Sequence, residues 1–355
     1  MPETLLHIID SLSIGGAEIL LKNTIDSLPE FEHIVAYLNE GPDQRIFDSE
    51  KIKYYNLNHT GWASLPATIL KLRNLVRSES PLLVHSHLII STLVARLSVP
   101  ATIPLVSTLH SELSMDAFSK NKLSLWLEKL TLKKRHSLVA VSNHVMQDYL
   151  KSVSFSGKKF VLYNFLTDVF FDGPKKKSPA TFLKCVAVGN LKTAKNYDYL
   201  LDIFKHLGLT NIHLDIYGTG YLEAALQDKI NKEKLPVTLK GKGSDPHVFL
   251  NEYDLFIQAS SHEGFGLSVI EAMASGLPVL LSDIPVFREV TNNHAHFFPL
   301  NNAKASAELL EELNSDPMKL NRFTDTAYEW CKLQFNARTY KARLLDIYSQ
   351  ITASQ

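Results

Sequence analysis

The sequence predicts an α/β protein made of two doubly wound parallel sheets in series. Short apolar runs alternate with amphipathic runs of helical spacing along all 355 residues. The apolar runs are continuous, as in strands covered on both faces by helices. The alternation breaks once near the middle, at Phe170-Phe-Asp-Gly-Pro-Lys-Lys-Lys-Ser-Pro-Ala180, whose glycine, prolines and lysines read as a solvated linker.

In the first half, strands are expected at Leu5–Ile9, His33–Leu38, Leu82–His85, Leu105–Thr108 and Leu138–Val141. Helices at Ala17–Leu28, Leu65–Val76 and Lys122–Arg135 separate them. The second half repeats the scheme with strands at Leu183–Val188, His213–Tyr217, Val237–Lys240, Leu255–Ala259 and Val279–Ser282. The domain boundaries that follow are 1–168, a linker at 169–180, a second domain at 181–325 and C-terminal helices over 326–355. Those helices carry Tyr328, Trp330, Phe335, Tyr340 and Tyr348, more aromatic surface than a free tail leaves exposed.

Composition narrows the function. Lys+Arg and Asp+Glu balance at 37 each, so no global field draws nucleic acid. The two cysteines, Cys185 and Cys331, match no metal spacing and read as reduced, buried thiols. The N-terminal residues lack the basic and apolar regions of a signal peptide, and no apolar run is long enough to span a bilayer. A cytoplasmic protein, soluble or peripheral, is expected.

The most informative stretch is Ser261-His-Glu-Gly-Phe-Gly-Leu-Ser-Val-Ile-Glu-Ala-Met-Ala-Ser-Gly-Leu-Pro-Val-Leu280. A buried strand hands over through Gly264 and Gly266 to a helix starting near Leu267. Gly276 is placed to end that helix in a left-handed cap, with Pro278 just beyond. Free N–H groups and the positive end of the helix dipole suit a phosphate there. Glu271, one turn into the helix, is placed to accept hydrogen bonds from a ribose diol, and Glu263 stands at the loop tip.

With Gly-Phe-Gly between the acids and Glu-Ala-Met-Ala-x-Gly-x-Pro-Val after them, the chain resembles the retaining glycosyltransferases of family 4. The resemblance implies the GT-B fold, two Rossmann-like domains facing across a cleft, with the C-terminal helix crossing back to the first domain. It implies a donor site for a nucleotide-diphosphate sugar formed by Gly264, Phe265, Gly266, Leu267 and Glu271, with Glu263 on the sugar. Gly189-Asn-Leu-Lys-Thr-Ala-Lys195 is similar to the family's Gly-Arg-Leu-x-x-x-Lys-Gly, whose Arg and Lys clamp the diphosphate. Lys195 matches the lysine. Asn190 stands where the arginine is expected and brings no charge; Lys192 compensates only if it points inward. Gly241 and Lys242 fall where the family's main chain meets the nucleobase. Gly218-Thr-Gly220 lacks a third glycine and reads as a plain strand-to-helix connection. The chain has no Asp-x-Asp, so no metal is expected, and helix dipoles, amides and Lys195 are left to stabilise the diphosphate.

In the first domain, Gly15, Gly16 and Glu18 resemble the family's Gly-Gly-Ala-Glu loop, with Gly16 facing the donor. His110 matches a position that contacts the donor sugar or its attacked centre; with Glu263 and Lys195 it makes the catalytic set. Gly15, His87 and Ser142 are assigned to the acceptor side, and His85 to the core. Residues 120–136 read either as a sheet-covering helix with a charged outer face, which is favoured, or as a surface helix resting on anionic lipid. The acceptor is a glycan, a lipid-linked alcohol or a small molecule, plausibly in cell-surface polysaccharide synthesis. The alternatives are an epimerase or phosphorylase on the same fold, or a non-catalytic nucleotide-sugar binder.

Overall fold

A computed structural model describes residues 2–13, 15–41, 52–115, 121–171, 182–207, 211–243 and 245–353. The chain forms two compact units. The first holds residues 1–165 and returns for 337–355; the second holds residues 166–336.

The first unit is a seven-stranded parallel sheet in the order β3-β2-β1-β4-β5-β6-β7. Its strands are β1 (Thr4–Ile9), β2 (Glu32–Tyr37), β3 (Lys53–Asn56), β4 (Leu83–His87), β5 (Leu105–Leu109), β6 (Ser137–Ala140) and β7 (Lys158–Val161). Helices α1 (Gly16–Ser27), α2 (Leu65–Glu79), α3 (Ile89–Ser98), α4 (Lys122–Thr131) and α5 (Asn143–Ser152) connect them. The central strands β1 and β4 are buried along nearly their whole length, as their continuous apolar runs require. The strand order turns back between β1 and β4, and at such a switch point ligands meet the carboxyl ends of the strands.

The second unit is a six-stranded parallel sheet in the order β10-β9-β8-β11-β12-β13. Its strands are β8 (Leu183–Val188), β9 (Ile212–Tyr217), β10 (Val237–Gly241), β11 (Leu255–Gln258), β12 (Val279–Ser282) and β13 (His296–Phe298). Its helices are α6 (Tyr197–Leu207), α7 (Glu223–Glu233), α8 (Pro246–Phe249), α9 (Leu267–Ala274), α10 (Pro285–Thr291), α11 (Ala303–Ser315), α12 (Pro317–Leu320) and α13 (Thr324–Gln334). Here the order reverses between β8 and β11, the two strands that feed the Lys195 and Glu263 loops.

The last helix, α14 (Ala337–Thr352), belongs to the first unit. Tyr340 stacks on Phe165 and its hydroxyl pairs with Thr24 Oγ1 at 2.9 Å, while the Tyr348 hydroxyl lies 2.7 Å from His85 Nδ1. The change of unit falls at 336/337 rather than at 326: Tyr328, Trp330 and Phe335 pack within the second unit. Of the expected linker, Asp168–Phe171 is a 3-10 turn of the second unit, and residues 172–180 lie outside the described residues.

Two expected elements differ in extent. β4 runs on to His87, which places His85 and His87 side by side on one face of the strand. α4 stops at Thr131 because Leu132 is extended (φ −72°, ψ 119°); Lys133–His136 forms a turn closed by the Lys133 N–H to His136 Nδ1 at 3.1 Å.

Candidate functional site

Each unit gathers polar groups at the carboxyl edge of its sheet. In the second unit the turn after β8 folds Lys195 back over Gly189. Gly189 holds φ 153°, a conformation that favours glycine, and a Cβ there would lie 2.8 Å from Lys195 Cε and push the lysine aside. Tyr197 fixes the turn by donating its hydroxyl to the Gly189 carbonyl at 2.9 Å. The connection after β9 packs on the same turn: a Cβ on Gly218 would sit 2.0 Å from the Gly189 carbonyl oxygen, and one on Gly220 2.4 Å from that of Leu191. Both glycines permit a close backbone approach, and the Leu191 N–H to Thr219 carbonyl bond at 2.9 Å holds it.

Lys195 Nζ donates to Glu263 Oε1 at 2.5 Å, joining the two motifs that are 68 residues apart in sequence. Ser260 Oγ donates to the same oxygen at 2.9 Å, and Gln258 Nε2 to Ser260 Oγ at 2.8 Å. Glu263 is thus held against Lys195 rather than projecting from a loop tip. The Ser261 N–H to Ala194 carbonyl bond at 2.9 Å ties the loops together a second time.

α9 begins at Gly266, which holds a left-handed conformation (φ 91°) beside the Phe287 ring. Its first-turn amides at Leu267 and Ser268 precede the first intrahelical acceptor. The end is as expected: Gly276 (φ 71°) donates to the Met273 carbonyl and Leu277 to that of Ala272, a Schellman cap. Phe265 offers no side chain to a ligand, since its ring is buried edge-on against Phe335. Glu271 is half-buried and its carboxylate makes no hydrogen bond among the described residues. Desolvation pushes its carboxyl up to about 7, with the Lys195 charge acting in the opposite direction. Asn190, Lys192 and Lys242 are exposed, so Lys192 does not turn inward beside Lys195. Gly241 (φ 68°) ends β10 with open space around its Cβ position.

In the first unit, Gly15 is the N-cap of α1, and a Cβ there would meet the Glu18 carboxylate at 2.4 Å. Glu18 is buried, and desolvation with the nearby Asp10 raises its carboxyl above the ordinary value. Gly16 is the first residue of α1. Asp10, after β1, accepts from the Ser91 N–H at 2.9 Å and from the Ser91 hydroxyl.

His110 follows β5, and its Nε2 lies 3.3 Å from His87 Nδ1. His87 is buried behind it, so its side chain offers almost no surface for the direct acceptor contact expected of it. Burial lowers His110 to about 4 and holds His87 well below the ordinary imidazole value, so both rings are neutral near pH 7. Ser142 is fully buried, and its hydroxyl caps α5 by accepting from the Val145 N–H at 3.1 Å; it is not an acceptor contact.

His85 is hydrogen-bonded at both ring nitrogens, to Tyr348 and to Thr108 Oγ1, each at 2.7 Å. Nitrogens of His7, His85 and His87 lie within 4.8 Å of one another. A metal ion bound to imidazole lies in the ring plane, however, and the His85 and His87 rings stack 4.3 Å apart at 26°. Both His85 nitrogens are also engaged by Tyr348 and Thr108, so while those bonds hold His85 has no free nitrogen for an ion.

A cavity of about 190 Å³ opens beside His110, lined also by Asp10, Leu88, Glu128 and Tyr149. Glu128 accepts from Tyr149 and pairs with the buried Arg96 at 2.7 Å. Leu88 sits at φ 69°, ψ 167°, a conformation nearly reserved for glycine, and such strain concentrates at functional sites. Sequence reasoning missed Asp10, Arg96, Glu128 and Tyr149 here, and Gln258, Ser260, Tyr197 and Tyr221 in the second unit. Tyr221 supports the Lys195 turn by accepting from the Thr193 N–H at 3.0 Å.

Two doubly wound parallel sheets in series, with the last helix returning to the first, fit the GT-B class of α/β transferase folds. The family profile described as Glycosyltransferase Family 4 matches residues 14–167, and that described as Glycosyl transferases group 1 matches residues 170–330. The chain belongs to the family 4 type of glycosyltransferases with the GT-B fold. It is similar to the GtfA subunit of the UDP-N-acetylglucosamine–peptide N-acetylglucosaminyltransferase of Streptococcus gordonii, at 33% identity over 30% of this chain and 22% of that one. It is similar to the O-antigen chain mannosyltransferase RfbU of Salmonella typhimurium at 26% identity, over 59% of this chain and 60% of that one. The chain therefore matches less than two thirds of the length of either relative. Among solved structures, Anabaena HepE in complex with UDP-glucose superposes with a TM-score of 0.83 at 17% identity, covering 98% of this chain and 99% of that one.

Proposed function

We propose that this protein transfers a sugar from a nucleotide-diphosphate sugar to an acceptor hydroxyl, with retention at the anomeric carbon and without a resident metal. The observation that carries the reading is the unspent carboxylate of Glu271 on α9, within reach of the Lys195 charge and so of the Lys195–Glu263 pair. Glu271 accepts the ribose hydroxyls, and the α9 amides with Lys195 hold the diphosphate. Glu263 orients Lys195 and presents its second oxygen to the sugar. In the first unit His110 is the neutral hydrogen-bonding group that contacts the sugar, positioned by His87. The acceptor hydroxyl attacks the anomeric carbon from the face the diphosphate leaves. The C–O bond to phosphate breaks as the new one forms, and the departing phosphate takes the acceptor's proton.

The HepE complex with UDP-glucose and the mannosyltransferase and N-acetylglucosaminyltransferase relatives support a nucleotide-sugar donor. RfbU, named for O-antigen, supports an acceptor in surface-glycan assembly. A cytoplasmic location is part of the reading, since Cys185 and Cys331 are free, buried thiols. The exposed Asn190 in place of an arginine favours, as the second reading, a binder without turnover.

The test is thermal stabilisation by UDP, GDP and ADP with and without EDTA, followed by turnover of the matching sugar nucleotides. One diphosphate that raises the melting temperature regardless of EDTA supports the reading. No shift with any of the three refutes the donor site, and binding without turnover selects the second reading.

A further inference from the structure

Helix α4 is amphipathic in the reverse sense. It buries Ser124, Glu128 and Thr131 and exposes Leu123, Trp126 and Leu130 at 60%, 54% and 51%. At about 100° per residue, the three apolar side chains fall on one stripe, with Lys122 and Lys129 along its edge. The favoured sequence reading, a sheet-covering helix with a charged outer face, predicts the opposite disposition. The rotation is fixed by buried polar bonds: Glu128 to Arg96 at 2.7 Å and to the Tyr149 hydroxyl. Turning the apolar face inward would leave Arg96 buried without its partner, a cost that opposes the gain from covering three apolar side chains.

The charge around the stripe has one sign. Lys122, Lys129, Lys133, Lys134 and Arg135 are all exposed, while the only acid between residues 122 and 136, Glu128, faces inward. Lys134 and Arg135 continue into a groove shared with Lys158 at the amino edge of the sheet. This concentration is local, because the whole chain is neutral.

We propose that the exposed face of α4 docks the protein on an anionic lipid bilayer, with Leu123, Trp126 and Leu130 entering the interface and the flanking lysines meeting headgroup phosphates. A second copy of the chain is the poorer occupant. A symmetric pairing would oppose two like-charged faces, and three side chains fall well short of the roughly 800 Å² per partner of a stable interface. A bilayer supplies what both features require, apolar depth and negative charge, and Trp126 sits at the depth where indole is favoured. Because Glu128 lines the His110 cavity from the opposite face of the same helix, docking sets the lipid surface one helix away from that cavity. The inference stands independently of the proposed transfer reaction.

The test is co-sedimentation of the full chain with vesicles of phosphatidylcholine alone and of phosphatidylcholine with phosphatidylglycerol, at low and high salt. Binding should require phosphatidylglycerol and weaken with salt. Leu123→Ser/Trp126→Ser/Leu130→Ser should bind more than tenfold less, and Lys133→Ala about fivefold less. These side chains are exposed, so an unchanged melting curve confirms folded variants. No binding to anionic vesicles at low salt, or binding untouched by the triple substitution, overturns the proposal. So does a concentration-dependent dimer that the triple substitution abolishes, which would assign the face to a second copy.

Discussion

Replacing Glu271 with glutamine should make the second unit more stable at alkaline pH while weakening nucleotide binding. The carboxyl is raised from 4.5 to about 7 by desolvation, so the fold favours its protonated form. For an acid raised in this way, no cost is felt below pH 4.5; the cost grows as pH climbs from 4.5 to 7 and is constant above. At ~1.4 kcal/mol per pH step this approaches about 3 kcal/mol at pH 8, as a ceiling given the group's residual exposure, and under about 1 kcal/mol at pH 5. Glutamine keeps the shape and removes the charge, so Glu271→Gln should recover most of that difference at pH 8 and little at pH 5. Urea unfolding read at Trp330 measures it, since Trp330 donates to the Val290 carbonyl within the second unit while Trp62 and Trp126 are already exposed. Nucleotide diphosphate should bind the parent more tightly as pH rises through 7 and should bind the variant weakly without that dependence. A stability difference equal at the two pH values, or a less stable variant at pH 8, would refute the claim that the fold holds this carboxylate at a cost for its ligand.

Other outcomes follow from single features. Gly218→Ala sets a Cβ against the Gly189 carbonyl and should lose ~3 kcal/mol or more together with the Lys195 turn. Gly241→Ala meets only its dihedral strain and should lose about 1 kcal/mol; denaturant melts separate the two. Lys195→Ala removes one cationic donor from the leaving group and should lower turnover of a sugar nucleotide by ~10²-fold or more, with a smaller change in nucleotide affinity. The first unit should be acid-labile. His7, His33, His85, His87 and His110 are all lowered from 6.5, chiefly by burial, so their neutral forms support the fold above pH 6.5. Each then costs ~1.4 kcal/mol per pH step as pH falls below that value. Circular dichroism should therefore show unfolding near pH 5, and His85→Gln should move the midpoint downward.

Most of the strands legible in the sequence are buried on both faces, where burial writes a continuous apolar run, though β9 and the edge strand β10 were legible while half-exposed. β3 (Lys-Tyr-Tyr-Asn) and β7 (Lys-Lys-Phe-Val) lie at the two edges of the first sheet, and their half-polar composition suits an edge but hides a strand. β13 has only three residues. The glycine turns of the second unit were legible because local backbone geometry demands them, which a short motif records. Its supports were not: Gln258, Ser260 and Tyr197 belong to no motif, and the Lys195–Glu263 contact they brace forms only once β8 and β11 lie side by side. Arg96 and Glu128 belong to no motif either, and only the fold buries them against each other. Ser142 shows the reverse, a motif position assigned to the acceptor side whose hydroxyl is a buried helix cap.

The return of α14 to the first unit imposes an order on biosynthesis. Tyr340 and Tyr348 complete a core begun by β1 and β4, yet the whole second unit, residues 166–336, leaves the ribosome in between. At ~5–20 residues per second, the nascent first sheet waits on the order of ten seconds or longer with an uncovered flank. The second unit, contiguous in sequence, is free to mature during that interval. Newly made chains are therefore most exposed to chaperones and proteases at the N-terminal half, and a stop codon just before Ala337 would leave that half without its closing helix while sparing the other.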